Sequence, residues 1–327
     1  YVPTLLVNQE FPVTALGTIL FNLPWLLFPA IAGALGDRFS KKRVTVWTKI
    51  WEVGVMVSGV AAVLLRSPIL LFFTLYLMSM QSTFFSPAKY GILPEILPES
   101  KLSWGNGMLN MWTFLAVILG NFVAGILLDT FAERVHLFAL VMVGFSCIGL
   151  CTSLFVTPAA PASPQQPIPI NPYKGLGRFL RMFLADRWLF LTLVGITYFW
   201  ATGTLVMANV YELGKIMTDS NFARGGLVAI MALGIGLGSM IAGYTSRGKI
   251  ETGLIPLGML GMAAMAALLV FPMGYGATLA MLFGLGFFGG FYDVPLAATL
   301  QQRSPDNVKG GMIATHNTAT FSGMTVA

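Results

Sequence analysis

The sequence predicts an all-α polytopic membrane protein, and three observations carry that prediction. Apolar runs of spanning length recur along the 327 residues. Charged residues make up 10% of the chain against 56% hydrophobic, where a soluble domain carries about 25% charged residues. Bases collect in alternate loops. The mean hydropathy of +0.77 excludes a soluble domain, and the net charge of +6 is then a matter of membrane topology, with no nucleic-acid partner expected.

A spanning helix needs roughly 20 mostly apolar residues at about 1.5 Å rise each. Such runs lie at 13–35, 44–65, 68–86, 105–128, 135–156, 188–210, 223–246, 253–271 and 275–299. A tenth begins at 312 and is still apolar at Ala327, and the chain starts at Tyr1 without Met. The expectation is a fragment with about ten spanning helices, its first helix largely missing and its end truncated. Basic residues in short loops stay on the cytoplasmic side. With the loop at 36–43 inside, the inner loops hold Arg38, Lys41, Lys42, Arg43, Lys89 and Lys101, then Lys174, Arg178, Arg181, Arg187, Arg247, Lys249, Arg303 and Lys309. The outer loops hold Arg66, Arg134, Lys215 and Arg224.

The stretch 157–172, "TPAAPASPQQPIPINP", blocks helix with its prolines and reads as an extended spacer. It divides the chain into an N-terminal helical half (1–156), a linker region (157–187) and a C-terminal helical half (188–327). After the spacer, Leu176, Phe179, Leu180, Phe183 and Leu184 share one helical face, with Lys174, Arg178 and Arg181 on another. That pattern predicts a basic amphipathic helix on the cytoplasmic leaflet, drawn by anionic lipid. Cys147 and Cys151, four apart in one apolar run, read as small buried thiols.

The halves resemble each other. "IAGALGDRFSKKR" at 31–43 has a counterpart in "IAGYTSRGKIETG" at 241–253, and "SPAKYGIL…GNGMLN" is echoed by "DVPLAATL…KGGMIA". Such repeats suggest a duplicated six-helix unit of the kind transporters use.

Gly33, Asp37, Arg38, Lys41, Lys42 and Arg43, in the pattern G-x-x-x-D-R-x-x-K/R-K/R, resemble the signature loop of the major facilitator superfamily. Ser40 stands where that loop commonly has Gly, and Lys41 where it commonly has Arg. Within the superfamily, "FFSPAKYGILPEILPESKL", "GNGMLNMWTFLAVILG" and "GGFYDVPLAATLQQRSP" are similar to the lysophospholipid transporters of the bacterial inner membrane. They are closer still to the transporter portion fused, in some bacteria, to an acyltransferase and an acyl-carrier-protein synthetase, a branch that "TKIWEV" matches best. The resemblance implies a major facilitator fold of two parallel six-helix repeats and no cofactor. It further implies passage of a lysophospholipid, lysophosphatidylethanolamine foremost, from the outer to the inner leaflet for reacylation. An acyltransferase or acyl-ACP synthetase, fused or separate, is the implied partner. Gating falls to Asp37, Arg38, Lys41 and Arg43, the alternative being that these charges only fix topology.

A charge at the centre of a spanning helix costs about 2.5–3.5 kcal/mol on insertion scales, so Lys49, Glu52 and Asp293 each require a reason. Lys49 and Glu52 are three apart, hence on one helical face, and can neutralise each other. A phospholipid headgroup carries a phosphate and, in phosphatidylethanolamine, an ammonium, so the pair matches both signs; the alternative is that Lys49 snorkels to the headgroups. Asp293 has no base near it in sequence. Gln81, Tyr198 and Trp200, with Tyr76, Asn209 and Tyr292, stand on helices that the resemblance places around a transport cavity, and each could equally make a helix contact. Asn110 and Asn121 read as helix-joining residues, and "GIGLGSMIAG" as a close-packing stripe.

Two other functions are weighed. A proton-coupled drug or metabolite carrier of this superfamily commonly has an Arg in the run that here is 68–86, which holds no charge, and "LGNFVAGIL" lacks the antiporter proline. An acyltransferase needs a His-x4-Asp pair, whereas Val141 follows His136 and Phe321 follows His316 at that spacing. A passive anchor would not need the intramembrane charges.

Overall fold

The computed structural model describes residues 10–131, 135–169, 171, 173, 175–246 and 248–327. Arg134, Lys174 and Arg247 of the loop assignment, with Ile170 and Pro172 of the spacer, lie outside the described residues. The described chain is helical and contains no strand.

The run expected at 13–35 is two helices, α1 (Glu10–Leu27) and α2 (Pro29–Arg38). Pro29 lacks an N–H and disfavours helical backbone at Phe28, so the pair bends by 53°. α3 (Lys41–Leu64) starts where the Ser40 hydroxyl accepts from the Arg43 amide. α4 (Pro68–Gly91) starts where Ser67 accepts from Leu70 and Pro68 takes the first helical position. The short α5 (Leu93–Ile96) and a 3₁₀ turn (Glu99–Lys101) lead to α6 (Leu102–Thr130), and α7 (Val135–Ser153) follows. The proline stretch is free of helix over its described residues until Gly175, whose φ of 94° turns the chain into α8 (Leu176–Ala185).

α9 (Arg187–Met217) is capped by Asp186, which accepts from Trp188 and Leu189 and pairs with Arg303 at 3.0 Å. The slight desolvation of Asp186 is outweighed by those amides and the guanidinium, which hold its carboxyl below the usual value. α10 (Asn221–Thr245), α11 (Leu254–Leu268), α12 (Tyr275–Arg303) and, after a 3₁₀ turn at Asp306–Val308, α13 (Lys309–Val326) complete the chain. By length and composition, 7 helices among the described residues can cross a membrane, or 8 with the bent α1–α2 pair as one span. The two remaining runs explain the difference from the expected ten. α11 is only 15 residues long, and α13 mixes Thr, Ser, His and Asn among its apolar positions.

The helices pack into two compact units. Unit 1 holds residues 1–92, 125–182 and 304–325; unit 2 holds 93–124, 183–303 and 326–327. Each unit thus takes helices from both sides of the proline spacer. The reason lies in small-residue crossings. In unit 1, a Cβ on Gly33 of α2 would stand 2.7 Å from the Gly311 Cα of α13. In unit 2, a Cβ on Gly243 of α10 would stand 3.0 Å from the Ser103 carbonyl oxygen and the Trp104 Cα of α6, and one on Gly107 would run into the Ser239 carbonyl. Gly33 and Gly243 hold the same place in the "IAG" repeat, and Gly107 and Gly311 the same place in the second repeat. The glycine stripe of α10 packs on α12 in the same way, Gly234 and Gly238 against Phe283 and Phe287.

Three sequence expectations are corrected. Cys147 and Cys151 are exposed; four residues apart, they share the outer face of α7, and Ala139, Ser146 and Ser153 are its buried residues. Asn121 is exposed and donates to its own helix at Val117 O. The apolar residues of α8 are divided: Phe179 and Phe183 are buried, while Leu180 and Leu184 are exposed, since Phe179 is drawn onto the bare Gly311 backbone.

The Gly33 crossing sets a stability prediction. Gly33→Ala forces two backbones apart, and overpacking of this kind costs about 1–3 kcal/mol, whereas a Cβ on Gly144 meets nothing within 4 Å. Thermal unfolding in detergent should show a lower midpoint for Gly33→Ala than for Gly144→Ala. Equal midpoints would refute the crossing.

Candidate functional site

Three polar clusters interrupt the apolar helices, two in unit 1 and one in unit 2. The first lies at the end of α2. Asp37 is 0% exposed, and its carboxylate accepts from the Gly310 amide at 2.6 Å and the Gly311 amide at 3.0 Å. The first amides of α13 have no partner within their own helix, and the helix start carries partial positive charge. A carboxylate supplies both needs. Lys41, also fully buried, donates through Nζ to Gly36 O, and its stem lies against Gly91. Arg38 reaches Gln166 O at 3.5 Å. Arg43 stands outside this cluster, its guanidinium 5.9 Å from the Trp47 ring centre.

The proline spacer joins the same cluster. The Ser163 amide donates to Asp37 O at 2.8 Å, and the Ser163 hydroxyl donates to Asn307 O at 2.8 Å. One residue of the spacer therefore ties the end of α2 to the turn before α13, beside the tie made by the Asp37 side chain. A cavity of about 930 Å³ remains between the spacer and the helices, reaching Ala30, Ala34 and Phe179. Composition identifies this stretch as extended but gives no sign of where Ser163 binds.

The second cluster lies on α3. Lys49 Nζ and Glu52 Oε2 are 2.7 Å apart, with side chains 22% and 14% exposed. Gln81 of α4, 2% exposed, donates to the same Glu52 oxygen and to Thr48 O, each at 3.1 Å. Lys49 lies 5.3 Å from the Phe85 ring centre and runs past Gly149 of α7, where a Cβ would come within 3.6 Å of Nζ. The structure brings Lys49, Glu52 and Gln81 together as a zwitterion with an amide attached, half-shielded from solvent.

The third cluster is in unit 2. Asp293 of α12, 7% exposed, accepts from Asn110 Nδ2 of α6 at 2.8 Å, with Trp200 of α9 beside its carboxylate. Asn106, one turn before Asn110, exchanges two hydrogen bonds with Gln301 at 2.8 and 2.9 Å. α6 and α12 are thus joined by a carboxylate–amide and an amide–amide bridge. Tyr198 stands apart from this cluster, 67% exposed, because two residues along a helix turn the side chain to the other side. Among the described residues, no group of three or more His, Cys, Asp or Glu is placed to hold a metal ion.

Residues 2–327 match the family described as Major Facilitator Superfamily. The chain is 30% identical over 322 residues to "Lysophospholipid transporter LplT" of Escherichia coli O1:K1 / APEC, covering 94% of this chain and 76% of that one. It is 29% identical over 314 residues to "Lysophospholipid transporter LplT" of Klebsiella pneumoniae (strain 342), covering 91% and 74%. Among solved structures, the fucose:proton symporter FucP of E. coli superposes with a TM-score of 0.75 at 13% identity, over 99% of this chain and 84% of that one, a likeness of fold. With its apolar spanning helices and a match along nearly its whole length, this multi-pass membrane chain belongs to the Major Facilitator Superfamily.

Proposed function

We propose that this chain carries lysophospholipid, with lysophosphatidylethanolamine as substrate, from the outer to the inner leaflet of the bacterial inner membrane, where it is reacylated. The observation that carries the reading is the match along more than nine-tenths of the chain to relatives named as lysophospholipid transporters. The charges inside the helices support it. An amphiphile with a phosphate and an ammonium needs sites of both signs within reach of the bilayer, and a facilitator of apolar compounds needs neither. The chain acts as a transporter, and the acyl transfer is the work of an acyltransferase or acyl-ACP synthetase, fused or separate. Its frame is two helical halves, 1–156 and 188–327, joined by the region 157–187, whose basic α8 rests on anionic lipid.

Within that frame Asp37, Arg38 and Lys41 hold the cytoplasmic gate. Lys49, Glu52 and Gln81 receive the headgroup in unit 1; Asp293, with Trp200, serves it in unit 2, and Tyr198, on the other side of α9, takes no part. The Asp37 contact is worth up to about 2 kcal/mol for a charge at a partly buried helix end, enough to move a two-state balance roughly thirtyfold. Asp37→Lys should therefore raise labelling of cysteines placed on the cytoplasmic face while leaving insertion intact. The same labelling pattern in parent and variant would remove the gate assignment.

For the α3 pair, Lys49→Gln leaves Glu52 held by Gln81 alone, and Glu52→Gln leaves Lys49 without its counter-ion. Each single change exposes one charge to the cost of about 2.5–3.5 kcal/mol that applies at a helix centre, and the double change removes both charges. Transport should be lost in both singles and stay lost in the double variant if the pair reads the headgroup. Recovery in the double variant would make the pair structural. Full activity in each single variant would discard both roles.

Asp293→Asn keeps the size and an acceptor for Asn110 while deleting the charge. In proteoliposomes it should slow lysophosphatidylethanolamine more than lysophosphatidylglycerol, because only the first carries an ammonium. Identical rates for parent and variant on both lipids would reduce Asp293 to a helix contact.

A further inference from the structure

Unit 2 contains a cavity of about 300 Å³ lined by α9, α10, α11 and α12. Close-packed interiors leave few voids larger than a water molecule, and an apolar cavity does not hold water well. The lining here is apolar almost throughout. Met231 of α10 with Met259 and Met262 of α11 supply flexible thioether surface that adapts to an occupant's shape. Gly203 of α9 lies on the wall, and a Cβ there would meet nothing within 4 Å. No helix crossing requires that glycine, in contrast to Gly33 or Gly243. Its absent side chain leaves room.

The cavity has a polar edge and an open edge. Tyr292 forms part of its wall and is fixed by a hydrogen bond from its hydroxyl to Gly195 O at 3.3 Å. The next residue on α12 is Asp293, which faces Asn110. At the rim, Tyr198 is 67% exposed and Met259 52% exposed, so the cavity meets the outer surface of an apolar helix bundle. That is where a bilayer chain lies.

We propose that this cavity is an acyl-chain site that takes the single tail of the lysophospholipid while the headgroup is held beside Asp293. The proposal rests on the transport reading above and adds to it a source of selectivity. Ligand pockets run from about 300 to 1,000 Å³, so this one, at the lower end, takes the end part of one chain. A diacyl lipid brings two, and the second has no place in it.

Two measurements test the site. A lysophosphatidylethanolamine with a photoactivatable group at its chain end, reconstituted with the parent protein in vesicles, should label α9–α12 around Met259 and Met262. Labelling confined to other helices, or none, overturns the proposal. Gly203→Leu, which projects a side chain into the open space, should lower the ratio of long-chain to short-chain transport about tenfold or more, since each methylene kept out of an apolar site is worth roughly a fourfold factor. An unchanged ratio in Gly203→Leu, with its unfolding midpoint intact, also overturns it; if that variant is unstable, the labelling decides alone. A parent that labels outside the cavity yet moves lysophospholipid refutes this site and leaves the transport reading standing. A parent that labels the cavity yet moves no lysophospholipid supports the site and refutes the transport reading.

Discussion

The close crossing of two helices through glycine is the constraint on which the polar chemistry of each unit depends. A carboxylate side chain is short, so Asp37 reaches the amides of Gly310 and Gly311 only because no Cβ separates α2 from α13 at Gly33 and Gly311. Phe179 fills the other side of the same bare backbone. In unit 2 the approach of Gly107 and Gly243 fixes the position of α6. From there, Asn106 and Asn110, one turn apart, face Gln301 and Asp293. Side chains of any size at these glycines would leave the amides without partners in a medium where water is scarce, at several kcal/mol for each unsatisfied group.

Each buried charge in these clusters is met by a partner suited to its burial. The nearly dry Lys41 ammonium finds the end of a helix, Gly36 O, where carbonyls are free and the dipole is negative. The less buried Lys49 takes a carboxylate and a ring face, and Glu52 adds the Gln81 amide. Asp293 is met by the neutral side chains of Asn110 and Trp200. A zwitterion on α3 and an acid on α12 are different electrostatic environments, and their difference lies in these neighbours as much as in the acids themselves.

The sequence shows most of the fold and less of the contacts, for a physical reason. Apolar run length gives the helices, and the repeat gives the equivalence of Gly33 with Gly243. Pro29 signals a break in the first run, yet the 53° bend depends on backbone that run length does not encode. The Lys49–Glu52 pair is legible because both residues belong to one helix and obey its period. The partners of Gln81, Asn110 and Ser163 are not. Their roles depend on register between helices or on the path of a loop, neither of which periodicity contains. Tyr198 and Trp200 are close in sequence, and the helix sends them to different places.

The two crossings share geometry but not charge. In the repeat, Arg247 stands where Asp37 stands, and a guanidinium cannot accept from the amides at a helix start. The first amides of α13 are held by the Asp37 carboxylate, while Asn106, beside Gly107 on α6, is held by its neutral exchange with Gln301. A charged tie to a helix start weakens when its carboxylate is reversed or screened; a neutral amide pair responds to neither. The two crossings match in the position of their glycines, and among the described residues only the first carries a carboxylate tie to the amides of a helix start.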